Sequence, residues 1–236
     1  MELIAKMLYG SQNYGLDNDD SDKDYCLLVM PSSSDLYHSI HEPWGPPAAS
    51  VFNKNFTSDH YTTVDARAWF ARLNNGNPNS IEMLFSVDCN DNYNSDAELA
   101  FAFARNAYRN GYLMVEFESF YRALKGMAFS HNHPNDNKCM ARLQFFTTFL
   151  QRVIDNNFCV DENLFVQDAY ARAIRYYEAP CSTVEEYKEQ WEQLFTEAYK
   201  KVEEFKLNLD FTPFLTDMFA ANNYLYLCYN TMRKEN

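Results

Sequence analysis

Asp22 and Asp24 flank a single residue and lead straight into the apolar run Tyr25-Cys26-Leu27-Leu28-Val29-Met30. In an extended segment, side chains two apart point to the same side. The spacing therefore aims two carboxylates at one point. Upstream, Gly10-Ser11 follows another apolar run, Leu3 to Tyr9. The glycine permits a sharp turn and close approach of the backbone to a ligand. The serine offers a hydroxyl and a backbone N–H, and such a turn can cradle phosphate oxygens. Mg²⁺ is held by one or two carboxylates together with substrate phosphates. Paired carboxylates beside a phosphate cradle thus point to metal-assisted phosphate chemistry. Asp17, Asp19 and Asp20, between the two pieces, read as solvated turn residues.

The elements that must position these groups follow from patterning. Residues 3–9 read as a strand and 24–30 as a second, ended by Pro31. Ser32 to Pro47 reads as a loop with a short helix near 34–39. Residues 56–64 are rich in β-formers and read as a third strand. Asp65 stands ahead of Ala66-Arg67-Ala68-Trp69-Phe70 and reads as the N-cap of a helix over 66–74. Gly76-Asn77-Pro78 breaks that helix, and 79–86 forms another; Glu82 on it is open between assisting the site and a surface position, the commoner place for a helix glutamate. Helices are predicted over 96–110, 113–128, 137–156 (capped by Asp136), 162–177, 183–206 and 213–232. Aromatic stripes such as Tyr187, Trp191 and Phe195 recur at helical spacing and read as core. The expected class is α+β. A mixed sheet with flanking helices occupies residues 1–95, and a helical bundle, residues 96–236, closes a cleft against it. The boundary is expected near 90–110.

The chain has 236 residues, 47 % of them hydrophobic, enough for a packed core. No run approaches the ~20 apolar residues of a membrane span. The N-terminal residues lack the basic and apolar regions of a signal peptide, so a cytoplasmic protein is expected. Six cysteines are scattered without a Cys-x-x-Cys, the pattern of incidental thiols rather than of a disulfide framework or a zinc site. His131 and His133, like His38 and His41, read as loop residues. The net charge of −13 disfavours extended contact with a nucleic-acid duplex, which needs a basic face.

The stretch Gly10-Ser11, a spacer from Gln12 to Ser21, then Asp22-Lys23-Asp24 resembles the signature of the DNA polymerase beta superfamily of nucleotidyltransferases. In its fuller form it is similar to the predicted nucleotidyltransferases of bacteria and phages, including the branch linked to RNA repair. Asp65-Ala66-Arg67-Ala68-Trp69-Phe70, Asn77-Pro78-Asn79 and Glu82-Met83-Leu84-Phe85-Ser86 continue the likeness. It covers roughly the first 90 residues and weakens in the helical remainder.

The resemblance implies a polymerase-beta-like mixed sheet and an acceptor hydroxyl attacking the α-phosphate of a nucleoside triphosphate such as ATP. It implies two Mg²⁺ or Mn²⁺ ions held by Asp22, Asp24 and a third carboxylate on a neighbouring strand. Asp59 is the choice for that third position, with Asp65 its rival. Gly10 and Ser11 would fix the β- and γ-phosphates. Lys138 and Arg142 would supply cations from the helical region, with Arg122 and Lys125 as weaker candidates. The acceptor is left open between an RNA end, a protein hydroxyl and a small molecule. If the gene is a phage's, the compartment is the bacterial host's cytoplasm. Two other classes stay open: a catalytically degenerate nucleotide-binding module, and an interaction module whose acidic surface meets a basic partner.

Overall fold

The structure is a computed structural model. It describes residues 2–10, 13, 16–17, 23–30, 60–86, 95–130, 136–165, 168–177, 180, 182–208 and 212–234. Its class is α+β: a three-stranded mixed sheet and, among the described residues, eight α-helices. The strands are β1 (Glu2–Tyr9), β2 (Asp24–Met30) and β3 (His60–Asp65), in the order β1-β2-β3. β1 runs antiparallel to β2, with Tyr9 opposite Asp24 and Glu2 opposite Met30. β2 runs parallel to β3, with Asp24 opposite His60 and Val29 opposite Asp65. The end of β1 and the starts of β2 and β3 therefore meet at one edge of the sheet. Cys26 through Met30 are all buried, as suits a central strand covered on both faces.

The helices are α1 (Ala66–Asn74), α2 (Pro78–Phe85), α3 (Ser95–Arg109), α4 (Phe117–Phe129), α5 (Asn137–Asp155), α6 (Ala169–Tyr176), α7 (Val184–Asn208) and α8 (Thr212–Lys234). Local chemistry explains their starts. The Asp65 carboxylate accepts from the Arg67 N–H and caps α1. Asn77 caps α2, with Pro78 at its first turn. Asp136 caps α5 by accepting from the Lys138 N–H at 2.8 Å. Each such cap is worth about 1 kcal/mol. Buried apolar faces then dock the helices: Trp69, Phe70 and Leu73 from α1, and Phe120, Tyr121 and Leu124 from α4. One buried polar pair ties α5 to α7. The Trp191 indole N–H donates to the Thr147 hydroxyl at 2.7 Å, which donates in turn to the Leu143 carbonyl at 2.7 Å. Tyr108 and Tyr112 donate to the carbonyls of Leu73 and Asn74, fastening the helical part to the C-terminal end of α1. The buried cluster runs from Ile4 in β1 to Cys228 in α8 without a gap.

The described strand β3 is His60–Asp65; residues 56–59 of the expected third strand lie outside the described residues. Two elements differ from the sequence reading. The helix expected over 113–128 is preceded by a 3-10 turn at Tyr112–Met114. There Gly111, at φ 98°, reverses the chain while Tyr112, Leu113 and Met114 are buried. The helix expected over 162–177 is two pieces, a 3-10 turn at Glu162–Phe165 and then α6. Asp168 takes the Ala171 N–H at 3.0 Å and starts α6 afresh, since a short side-chain acceptor competes with the continuing helix. The loop expected at 32–47, with its helix near 34–39, lies outside the described residues. The expected division at 90–110 falls partly on 87–94, also outside them. No helix among the described residues is long and apolar enough to cross a membrane.

Candidate active site

The turn after β1 is held from below by a buried carboxylate. Gly10 lies at φ 85°, a left-handed conformation that favours glycine. Its carbonyl accepts from the Asn13 N–H at 3.1 Å, closing the turn. Its own N–H donates to Glu82 Oε1 at 2.6 Å. Asn13 Nδ2 donates to the same oxygen at 3.0 Å and to the Leu8 carbonyl at 2.7 Å. Glu82 is only 2 % exposed. Its helix is brought against β1 by buried Ile81 and Leu84, and Ser86 Oγ donates to the Leu8 carbonyl.

Asp24 sits beside this turn through its pairing with Tyr9. A Cβ added to Gly10 would lie 3.3 Å from Asp24 Oδ2. Glycine therefore leaves room for the carboxylate as well as permitting the turn. Because the Gly10 N–H is engaged by Glu82, the contribution of Gly10 in this arrangement is that room, and not an amide turned to phosphate.

Above the turn opens a cleft of about 650 Å³. Gly10, Asp24 and Glu82 line it from the sheet side. Lys138, Cys139 and Arg142 line it from α5, and Arg175 from α6. Four residues singled out in the sequence, Gly10, Asp24, Lys138 and Arg142, thus share one cavity although more than a hundred positions separate the two pairs. α6 is tied to the signature loop by the Tyr176 hydroxyl, which donates to the Leu16 carbonyl at 2.8 Å. Arg142 Nη2 lies 3.3 Å from Ser130 Oγ, while its buried Nε has no partner among the described residues. The cleft therefore joins a carboxylate edge to a wall carrying three cationic side chains, an arrangement suited to a metal-bound polyphosphate.

Ser11, Asp22 and Asp59 lie outside the described residues, as do His38, His41, His131 and His133. Asp59 directly precedes β3 in sequence, and β3 starts beside Asp24. Asp65 is placed otherwise. It pairs with Val29 at the opposite end of β3, roughly 16 Å along the strand from the Asp24 level. It caps α1 and is bound by the Arg67 guanidinium at 2.5 Å, and that contact raises the Arg67 pKa above its ordinary value. Asp65 is thus a cap and not a site carboxylate. Arg122 pairs with Glu118 at 3.1 Å along α4, and Lys125 pairs with Glu192 of α7. Both serve the bundle surface.

Glu82, open in the sequence between a site role and a surface position, is a buried tie beneath the turn. One site residue was not announced by the sequence. Arg175 joins the cationic wall, though nothing in its local sequence distinguishes it from neighbouring Arg172. Among the described residues no group of three or more His, Cys, Asp or Glu side chains is gathered to hold a metal. The fit to a metal rests on the Asp24 carboxylate, set in space that a Cβ at position 10 would crowd, and open to the cationic cleft. No family model, curated protein or solved structure matches the chain.

Proposed function

We propose that this chain is a metal-dependent nucleotidyltransferase, moving a nucleoside monophosphate from a nucleoside triphosphate to an acceptor hydroxyl. The observation that carries the reading is the shared cleft: Gly10 and Asp24 on one side, Lys138, Arg142 and Arg175 on the other. Asp24, with Asp22 of the same motif and Asp59 as the third carboxylate, would hold Mg²⁺ or Mn²⁺. When bound, the ions offset charge on the phosphates and on the attacking and leaving oxygens. The chain's own part is positioning and charge neutralisation. Lys138, Arg142 and Arg175 bind the triphosphate and stabilise the charge that builds on departing pyrophosphate. Glu82 and Gly10 fix the turn so that the Asp24 carboxylate keeps its place. An acceptor oxygen forms a bond to the α-phosphorus, the bond from that phosphorus to the β-bridging oxygen breaks, and the hydroxyl proton passes to solvent.

The test is incubation with α-labelled nucleoside triphosphates and Mg²⁺ in the presence of candidate acceptors. Label transfer with stoichiometric pyrophosphate release is the expected result. Absence of both label transfer and nucleotide binding in folded protein would remove the reading.

A further inference from the structure

A second, smaller pocket of about 260 Å³ adjoins the cleft, and Tyr9 and Asn79 line both. Thr62 and Val64 of β3 form its floor; being two apart on a strand, they face the same side. The Tyr9 hydroxyl and Thr62 Oγ1 are 3.0 Å apart, which fixes the wall between the two spaces.

Beside Met83, the rest of the lining carries hydrogen-bond donors. Trp69 is 1 % exposed, and its buried indole N–H has no hydrogen-bond partner among the described residues. An unpaired buried donor is costly, so an acceptor atom that reaches it is favoured. Arg72, on the exposed side of α1, has no ion-pair partner among the described residues and lines the same pocket. Asn77 and Asn79, at the N-terminal end of α2, add amide groups where the helix dipole favours negative charge. No acidic residue is among the described residues that line it, in a chain of net charge −13.

We propose that this pocket holds the anionic group of the acceptor, a carboxylate or a phosphate on a small hydroxyl-bearing molecule. The hydroxyl then reaches past Tyr9 into the cleft on the Asp24 side. The assignment of the occupant as acceptor rests on the nucleotidyl reading. The binding of an oxyanion does not, and the two are tested separately.

The chain has three tryptophans, so the Trp69 indole N–H resonance is identifiable by comparison with W69F. Inorganic phosphate and acetate are titrated in turn at fixed ionic strength. A saturable shift of the Trp69 resonance is expected with at least one ion, and whichever binds tighter names the anion. Arg72→Gln should weaken it at least tenfold; Arg142→Gln, in the cleft, should change it less than twofold. No shift with either ion, or a shift unchanged in R72Q (an adventitious ion only), overturns the pocket.

The acceptor role is then read from pyrophosphate release with glycerol, glycerate and glycerol phosphate as probes. At least a tenfold preference for an anionic probe over glycerol, lost in R72Q, supports it. Turnover without that preference overturns the acceptor assignment alone. Failure of the wild type to bind any nucleoside triphosphate removes the nucleotidyl reading and the acceptor role with it, while the Trp69 shift still decides the anion pocket.

Discussion

Gly10 and Glu82 act on the site as a pair, and each has its own test. Gly10→Ala meets two penalties: a side chain at φ 85° and a Cβ 3.3 Å from Asp24 Oδ2. The strain is on the order of 1–2 kcal/mol. Thermal unfolding should record that loss, and turnover should fall further than stability alone explains because the carboxylate is displaced. Glu82 accepts from Gly10 and from Asn13 through the same oxygen. Glu82→Gln keeps a carbonyl acceptor of the same shape for these two donors, so it should lose less activity and stability than Glu82→Ala. Glu82→Ala strands the part-buried Gly10 N–H, at a cost of up to about 1–3 kcal/mol. Calorimetric titration should show weaker binding of nucleotide with Mg²⁺ in the alanine variant than in the glutamine variant. Equal behaviour of the two substitutions would mean that the tie does not serve the site.

At the scale of elements, α5 and α6 are the cationic wall, and both have probes built in. Arg175→Gln removes one charged partner of the triphosphate. A charge-assisted hydrogen bond is worth about 1.5–3 kcal/mol, so KM for the nucleotide should rise by roughly ten- to a hundredfold. Arg122→Gln on α4 should leave it unchanged. Cys139 lines the cleft, whereas Cys26 is fully buried in β2 and burial pushes its thiol up to about 12. Alkylation at neutral pH followed by mass spectrometry should modify Cys139 and spare Cys26, and nucleotide with Mg²⁺ should slow modification of Cys139. Modification at an unchanged rate would place nucleotide elsewhere.

The whole molecule shows which information was local. β2 and α1 were legible to the residue because their ends carry local signals: Asp24 into an apolar run, Pro31 after it, Asp65 as a cap before Trp69 and Phe70. Arg175 was not legible, because its value comes from the Tyr176 bond to Leu16, a contact between distant parts of the chain. The burial of Glu82 was not legible for the same reason. A glutamate on a short helix is usually solvated, and donors from a distant part of the chain, Gly10 and Asn13 among them, make its burial tolerable. The burial of Trp69 and its N–H without a partner among the described residues depend on how α1 packs in the fold. Helix counts and aromatic stripes follow from periodicity; the break before α6 followed from one capping side chain, Asp168, that competes with helix continuation.

If Asp24 and the cationic wall form one metal-nucleotide site, calorimetric titration of nucleoside triphosphates, with and without Mg²⁺ or Mn²⁺, into the wild type and into Asp22→Ala/Asp24→Ala reads it directly. Binding should require the metal and be lost in the folded double variant. Absence of binding to the wild type, or metal-independent binding that survives the double substitution, would contradict it.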